Sequence, residues 1–412
     1  MGSIYPIVLY FALLVDVILA ADFIAKDNIL LNCGSFDAKT TDSDGRNWTS
    51  DNGSKFLQSS KGSFRASATT EAPDVGNIPY MSARIFHSNA TYSFPVSPGR
   101  IFLRLYFYPN VYSRSNSANA VFSVTAGPYT LLRNFNASQT AKKLDAHFII
   151  KEYSINVDGG VLTITFIPSP KSFAFVNGIE VVSMPSIYDN DVGANIVGTS
   201  SPFQIDNSTA LENLYRLNVG GNHIPPTQDT GLFRSWYDDT PYKFGTEIGF
   251  TAIADPNVTI TFPKSIESYT APVDVYATAR FMTPDSMVNL NFNLTWLFPI
   301  DTGFAYLIRM HFCQIFFNID KINQIVFNVY LNNQTAFPGF DVVALTSSNG
   351  IPNIQDFVVI LPTSEDPQQD LWVGLHPDTS DKPQYYNAFL NGLEIFKINN
   401  TDGTLAPSIV SN

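Results

Sequence analysis

Five histidines, His87, His147, His223, His311 and His376, are the side chains best suited to proton transfer or metal ligation near neutral pH, and none lies at metal-ligand spacing from another. His311 stands in the run RMHF, where a packed, satisfied imidazole is favoured over a base. The turn TDSDGRNWTSD (Thr41 to Asp51) sets Asp42, Asp44, Gly45 and Asp51 at a spacing that resembles part of a calcium loop. The flanking helices are absent, so an Asp-rich turn is the favoured reading. Asp238 and Asp239 are adjacent, so their carboxylates diverge on a strand or turn, and nothing singles out the acid and nucleophile of a glycosidase. No G-x-S-x-G, phosphate loop, H-E-x-x-H or kinase signature occurs. No enzyme activity, metal or cofactor is expected.

Binding chemistry has better candidates. Trp236 and Tyr237 precede Asp238 and Asp239, and Tyr108 and Tyr112 stand near Arg114 in YPNVYSR. Aromatic faces stack on sugars and carboxylates take hydroxyls, although for any one ring a place in the core is the commoner outcome. Arg100, Arg104, Arg114 and Arg133 form the one concentration of cations that a polyanionic pectin would need, and Arg104 also reads as a buried, salt-bridged strand residue. The net charge of −12 opposes nucleic acid. It suits a basic partner, and solubility alone would also account for it.

These residues sit in a chain that repeats itself. Leu31-Asn32-Cys33-Gly34 answers Leu217-Asn218-Val219-Gly220, and Asp42, Gly45, Trp48 and Asp51 answer Asp229, Gly231, Trp236 and Asp239. YMSARIF (from Tyr80) then answers VYATARF (from Val275), TYSFPVSPGRIFLRLYFY (from Thr91) answers TWLFPIDTGFAYLIRMHFC (from Thr295), and NGIEVV (from Asn177) answers NGLEIF (from Asn391). Five blocks in one order mean two whole domains in tandem. The expected division is a signal peptide at 1–21, domain A at 22–185, a linker at 186–210, domain B at 211–400 and a tail at 401–412.

Short β-branched and aromatic runs separated by Gly, Pro or Asn turns predict an all-β chain of two jelly-roll-like sandwiches. Residues 37–79 read as long loops. In VNLNFNLTWLF, Val288, Leu290, Phe292, Leu294 and Trp296 alternate with polar residues, which predicts a half-buried strand with the Asn293 sequon on its wet face. Thr209 to Leu217 reads either as a capped helical turn or as extended chain.

Residues 1–21 form an apolar run ending in small residues, the pattern of a secretory leader. Nine N-x-S/T sequons, at Asn47, Asn52, Asn89, Asn136, Asn207, Asn257, Asn293, Asn333 and Asn399, fit a glycosylated extracellular protein, and no later run reaches transmembrane length. The two cysteines, Cys33 and Cys313, read as separate buried thiols, with a bridge between domains as the alternative.

The blocks LLNCG, DGRNW, FLRLYFYP and NGIEVV, with YRLNVGG, DTGLFRSWYDD, YLIRMHFC and LNGLEIF, resemble the extracellular region of FERONIA-type receptor-like kinases of plants, which carries tandem malectin-like domains. The likeness runs from about residue 28 to residue 403. It implies a cell-surface sensor of small basic secreted peptides of the rapid-alkalinisation type, acting with a lipid-anchored co-receptor and linked to cell-wall pectin. A family receptor continues into a membrane helix and a Ser/Thr kinase; this chain stops after the second domain, as a soluble relative or a fragment would. Two other readings stay open: a secreted cell-wall lectin without a signalling partner, and, on fold analogy alone, a glycoside hydrolase.

Overall fold

The computed structural model describes residues 22–58, 61–188, 192–199, 201–245 and 249–407, so the expected leader over 1–21 lies outside the described residues. One thirteen-stranded sheet runs through both halves. Its central strands, in spatial order, are Asn353–Ile360, Ala305–Phe312, Gly392–Ile398 and Leu211–Asn218, then Ile149–Val157, Gly99–Phe107, Gly178–Ser183 and Asn28–Asn32. The first four belong to the second half and the last four to the first. The join is the antiparallel pair of Leu211–Asn218 with Ile149–Val157, in which Glu152, Tyr153 and Ser154 face Asn213, Glu212 and Leu211.

Each half closes its sandwich with its own second sheet. In the first half this sheet contains Ala90–Pro95, Phe122–Ala126, Tyr129–Phe135 and Val161–Pro168. Alternation on Gly99–Phe107 sends Ile101, Leu103, Leu105 and Phe107 inward, into one buried cluster with Phe122, Val124, Ile164 and Phe166. In the second half Tyr306, Ile308, Met310 and Phe312 meet Trp296, Phe298, Val329 and Val373 in the same way. The chain is all-β apart from short helices, and Thr209 to Leu217 takes the extended alternative.

The repeated blocks are repeated hydrogen-bond devices. Asp51 accepts from the Gly34 N–H at 2.8 Å, from Arg84 at 2.8 and 2.9 Å, and from the Tyr92 hydroxyl at 2.7 Å. Asp239 accepts from the Gly220 N–H at 2.9 Å, from Arg280 at 2.6 Å through both Nε and Nη2, and from Trp296 Nε1 at 2.7 Å. Gly34 and Gly220 both have φ of +75°, and an added Cβ would lie 2.0 Å from the Ala83 oxygen or 2.2 Å from the Ala279 oxygen. Only glycine permits that approach. Likewise Asn177 donates to the Tyr80 and Ser82 carbonyls, and Asn391 to those of Tyr276 and Thr278.

Two expectations are corrected. The alternating run from Val288 is not one strand: Ser286–Asn289 is a helical turn and the strand begins at Leu294. Asp285 caps that turn by accepting the Met287 N–H, Asn289 is buried by bonds to Thr283 and Tyr386, and Phe292 is 55% exposed. Local capping outweighs a short period-two pattern here. Residues 37–79 are not all loop, since they contain Lys39–Thr41, Asn47–Ser50 and Ser63–Ser67. The described part of the tail docks on the first half: Leu405 enters its core, with Thr130 N–H to Gly403 O at 3.1 Å and Leu405 N–H to Thr130 O at 2.9 Å. The opposite terminus crosses the other way, with the Phe23 N–H on Thr230 O at 3.0 Å.

Substituting D239N leaves Arg280 buried without its counter-charge, and D51N does the same to Arg84. Each is predicted to cost about 3–5 kcal/mol in denaturant unfolding. A loss below about 1 kcal/mol, the range of ordinary surface changes, would contradict the role assigned to these aspartates.

Candidate functional site

Across the shared sheet, on the face turned away from both sandwich cores, charges of alternating sign stand on seven successive strands. In strand order they are Asp356, Arg309, Glu394, Arg216, Glu152, Arg104 and Glu180. Cross-strand register places Arg309 opposite both Asp356 and Glu394, Arg216 opposite Glu394, and Arg104 opposite both Glu152 and Glu180. The contacts are 2.7 Å for Arg309–Asp356, 2.8 Å for Arg216 with each of Glu394 and Glu152, 2.5 Å for Arg104–Glu152 and 2.7 Å for Arg104–Glu180. Arg46 closes the row on Glu180. All but the half-buried Asp356 are buried, and the link Glu152–Arg216 is the step from one half to the other.

Burial alone would raise the Glu152 carboxyl, but Arg216 and then Arg104 hold it at about 2. Glu394 is likewise held well below the carboxylate range against its burial, first by Arg216 and then by His311. Burial drives His311 below its ordinary value despite Glu394. Its ring lies 2.9 Å from the Tyr276 hydroxyl and 3.3 Å from Glu394. That is a satisfied histidine, not a free base.

Covering segments lie over most of this row. Arg309 donates to the Ile187 carbonyl at 2.6 Å, and Arg104 to the Leu232 carbonyl at 3.1 Å. In the middle the cover parts, and a cleft of about 430 Å³ opens over Arg104, Glu152 and Arg216. The first half contributes Asp42, Asp44, Asp74, Tyr80 and Phe148 to its walls; the second contributes His223, Phe233 and Tyr237. The Tyr237 and His223 rings stack at 5.0 Å, and Tyr80 meets Phe148 at 4.7 Å. The Arg46 guanidinium lies 4.9 Å from the Phe233 ring, a cation–π contact between the halves.

Of the seven binding residues expected from sequence, Tyr237 alone lines this cleft, at 47% exposure. Asp238 follows it, half-buried, and accepts the Thr240 N–H. Trp236 and Asp239 are fully buried, the latter on Arg280. Tyr108 and Tyr112 are also core: the Tyr112 hydroxyl donates to the Tyr108 carbonyl at 2.6 Å and accepts from Asn177. These four are corrected from ligand-binding to packing residues, because each polar atom is consumed by an internal bond. Arg114 is exposed in a hairpin turn outside the cleft. The arginine concentration disperses too, since Arg100 and Arg104 are buried. His223, Phe233, Tyr80 and Asp74 were missed, and their one signal was proximity to Asp-rich or repeated blocks.

The calcium-like turn is filled by its own bonds. Asp42 accepts from Trp48 Nε1 at 2.8 Å and from the N–H groups of Asp44 and Arg46. Asp51 belongs to Arg84. No group of three metal-ligating side chains occurs among the described residues. Asn136 is buried and caps the helix Ala137–Lys143, its amide donating to the Ala118 carbonyl. A glycan would have to be accommodated on that buried Nδ2, which already donates to Ala118. Asn399 is half-buried and the other seven sequon asparagines are exposed. Both cysteines are buried free thiols. No helix among the described residues is long and apolar enough to cross a membrane.

The family pattern described as a malectin-like domain matches residues 31–398. The chain belongs to the malectin-like family. It is 57% identical over 392 residues to the receptor-like protein kinase FERONIA of Arabidopsis thaliana, covering 94% of this chain and 44% of FERONIA. It is 40% identical to ANXUR1 of the same plant, covering 92% of this chain and 45% of ANXUR1. This malectin-like chain thus spans under half the length of those relatives. A crystal structure of the plant receptor-like kinase FER matches with a TM-score of 0.88 at 56% identity, over 93% of this chain and 99% of that one. FER in complex with the plant peptide RALF23 and LLG2 matches at 0.87 and 55%, over 94% and 99%. The ANXUR1 extracellular domain matches at 0.86 and 40%, over 93% and 99%.

The charge row carries a pH signature. Glu152 is held at about 2 in the fold against an ordinary 4.5, so its stabilisation is complete above about 4.5 and is lost as pH falls toward 2. His311, held below its ordinary 6.5, acts in the same direction at higher pH, because the unfolded chain protonates first. The thermal midpoint is predicted to decline from about pH 6.5 and to fall steeply below about 4.5. A midpoint unchanged between about pH 7 and pH 3 would contradict this.

Proposed function

We propose that the chain is the extracellular ligand-binding module of a malectin-like receptor, or a soluble relative of one. It senses secreted basic peptides of the alkalinisation type together with a lipid-anchored co-receptor, at the outer face of the plasma membrane and cell wall. The observation that carries this reading is the likeness to FER as crystallised with RALF23 and LLG2, at 55% identity and a TM-score of 0.87. The net charge of −12 and the carboxylates at the cleft favour a cationic partner. Its role is docking rather than turnover: the adjacent Asp238 and Asp239 point to different surroundings, and the histidine of the charge row is bonded on both nitrogens. The expected leader and the exposed sequons support the extracellular placement. The division into domains A and B, joined through a linker over 186–210, belongs to the same reading and is supported by the two separate cores.

A lectin or pectin-binding role is the second reading, favoured by the stacked Tyr237 and His223 at the cleft mouth. The burial of Arg100 and Arg104 weakens its polyanionic form.

Calorimetry of the purified chain with a basic alkalinisation-type peptide, with and without the lipid-anchored co-receptor, tests the proposal. Binding that strengthens with the co-receptor and weakens with added salt is expected. No binding under either condition overturns it, and heat from a pectin oligomer or glucose disaccharide alone would favour the second reading.

A further inference from the structure

We propose that the cleft between the halves is a receptor for one cationic side chain, a guanidinium or ammonium group carried by a basic peptide, held by Asp44 and Asp74 of the first half against the Tyr237 ring of the second. The peptide's identity rests on the function proposed above, whereas the chemistry of the cleft is argued from its own groups.

The floor is neutral as a unit. Arg46, Arg104 and Arg216 face the cleft, and each is already paired with Glu180, Glu152 or Glu394. They have no charge left over for an anion. The rim is different. Asp44 is exposed, and its carboxylate makes no hydrogen bond or ion pair among the described residues. Asp74 is exposed and shares its charge with His147 at 2.5 Å. Asp42 is anchored to Trp48 but has no cationic partner. No lysine lines the cleft.

Asp44 of the first half and His223 of the second line the same cleft, and the carboxylate bears electrostatically on the imidazole. Burial keeps that imidazole below its ordinary range, so it does not supply the missing positive charge near neutral pH. Around it stand ring faces that attract cations: Tyr237 stacked on His223, Tyr80 against Phe148, and Phe233. Phe233 already holds the Arg46 guanidinium from the other half, so the cleft contains one worked instance of the contact it would make with a ligand. The volume of about 430 Å³ admits one or two side chains and excludes a folded domain. An anionic sugar would meet several carboxylates and no available cation.

The test uses the purified chain and a tetra-arginine peptide as probe, with tetraglutamate and a glucose disaccharide as controls, in calorimetry at low salt. The double variant D44N/D74N is expected to weaken tetra-arginine binding at least about ten-fold with an unchanged thermal midpoint, since neither residue holds a buried partner. Y237L is expected to weaken it several-fold. The variant E365Q/D370N removes the same charge from exposed positions outside the cleft and is expected to stay within about two-fold of the parent, which separates site binding from general attraction to an acidic protein. The proposal is overturned if tetra-arginine does not bind, if both double variants weaken it equally, or if the disaccharide competes with it. Should the cleft fail this test while an alkalinisation-type peptide still binds with the co-receptor, the receptor reading stands and only the cleft assignment falls.

Discussion

Seven charges of alternating sign, one per strand and six of them buried, hold this molecule together across its middle. A buried charge is tolerable only when its neighbours neutralise it and its remaining hydrogen-bonding sites are filled. Here Arg309 and Arg104 each lie between two anions in cross-strand register, and Arg216 joins its register partner Glu394 to Glu152 across the junction. Because Glu152 and Arg216 come from different halves, the dependence passes through the junction. The opposite face of the junction has a shorter set, in which Glu212 takes Lys151 at 2.7 Å and Lys397 at 3.2 Å. Within the shared sheet the halves pair through three facing residue pairs, and both faces of that short seam carry charge pairs. The termini add to this, each docking on the half it does not begin or end in.

Duplication explains what the halves share, and divergence explains what the cleft is. The Asp51 and Asp239 clusters are the same device, down to the glycine that approaches a carbonyl. Arg104 and Arg309, and Glu180 and Glu394, occupy matching strand positions, yet their environments differ. Tyr106 donates its hydroxyl to Glu180 in the first half, while His311 faces Glu394 in the second. Arg46 pairs with Glu180 and lines the cleft, whereas its counterpart Arg234 is fully buried on Asp229. The cleft is therefore not reproduced at the counterpart of Arg46 in the second half. It exists because two similar bodies meet unsymmetrically.

Much of the fold was legible from residues alone. The repeat placed Asp51 with Asp239 and Asn177 with Asn391, and the strand runs around Phe102 and Leu307 are where they were expected. The charge row was not legible, because Arg104 and Glu180 lie 76 residues apart and meet only through sheet register. Read along one strand, each is a lone charge among apolar neighbours. The aromatic candidates failed for a related reason. Trp236 and Tyr112 look alike to Tyr237 as composition, and only packing separates a ring bonded inside from a ring that faces solvent. The Val288 run failed locally, since Asp285 capped a turn that the alternation could not reveal.

The central claim is that the charge row makes the two halves one cooperative body. Differential scanning calorimetry of the parent chain and of R216Q tests it most directly. In R216Q, Glu152 and Glu394 lose their shared cation, at a cost of about 3–5 kcal/mol concentrated at the junction. The account predicts one unfolding transition in the parent, with matching calorimetric and van't Hoff enthalpies, and two separated transitions in the variant. Two independent transitions in the parent, or a single unshifted one in R216Q, would contradict it.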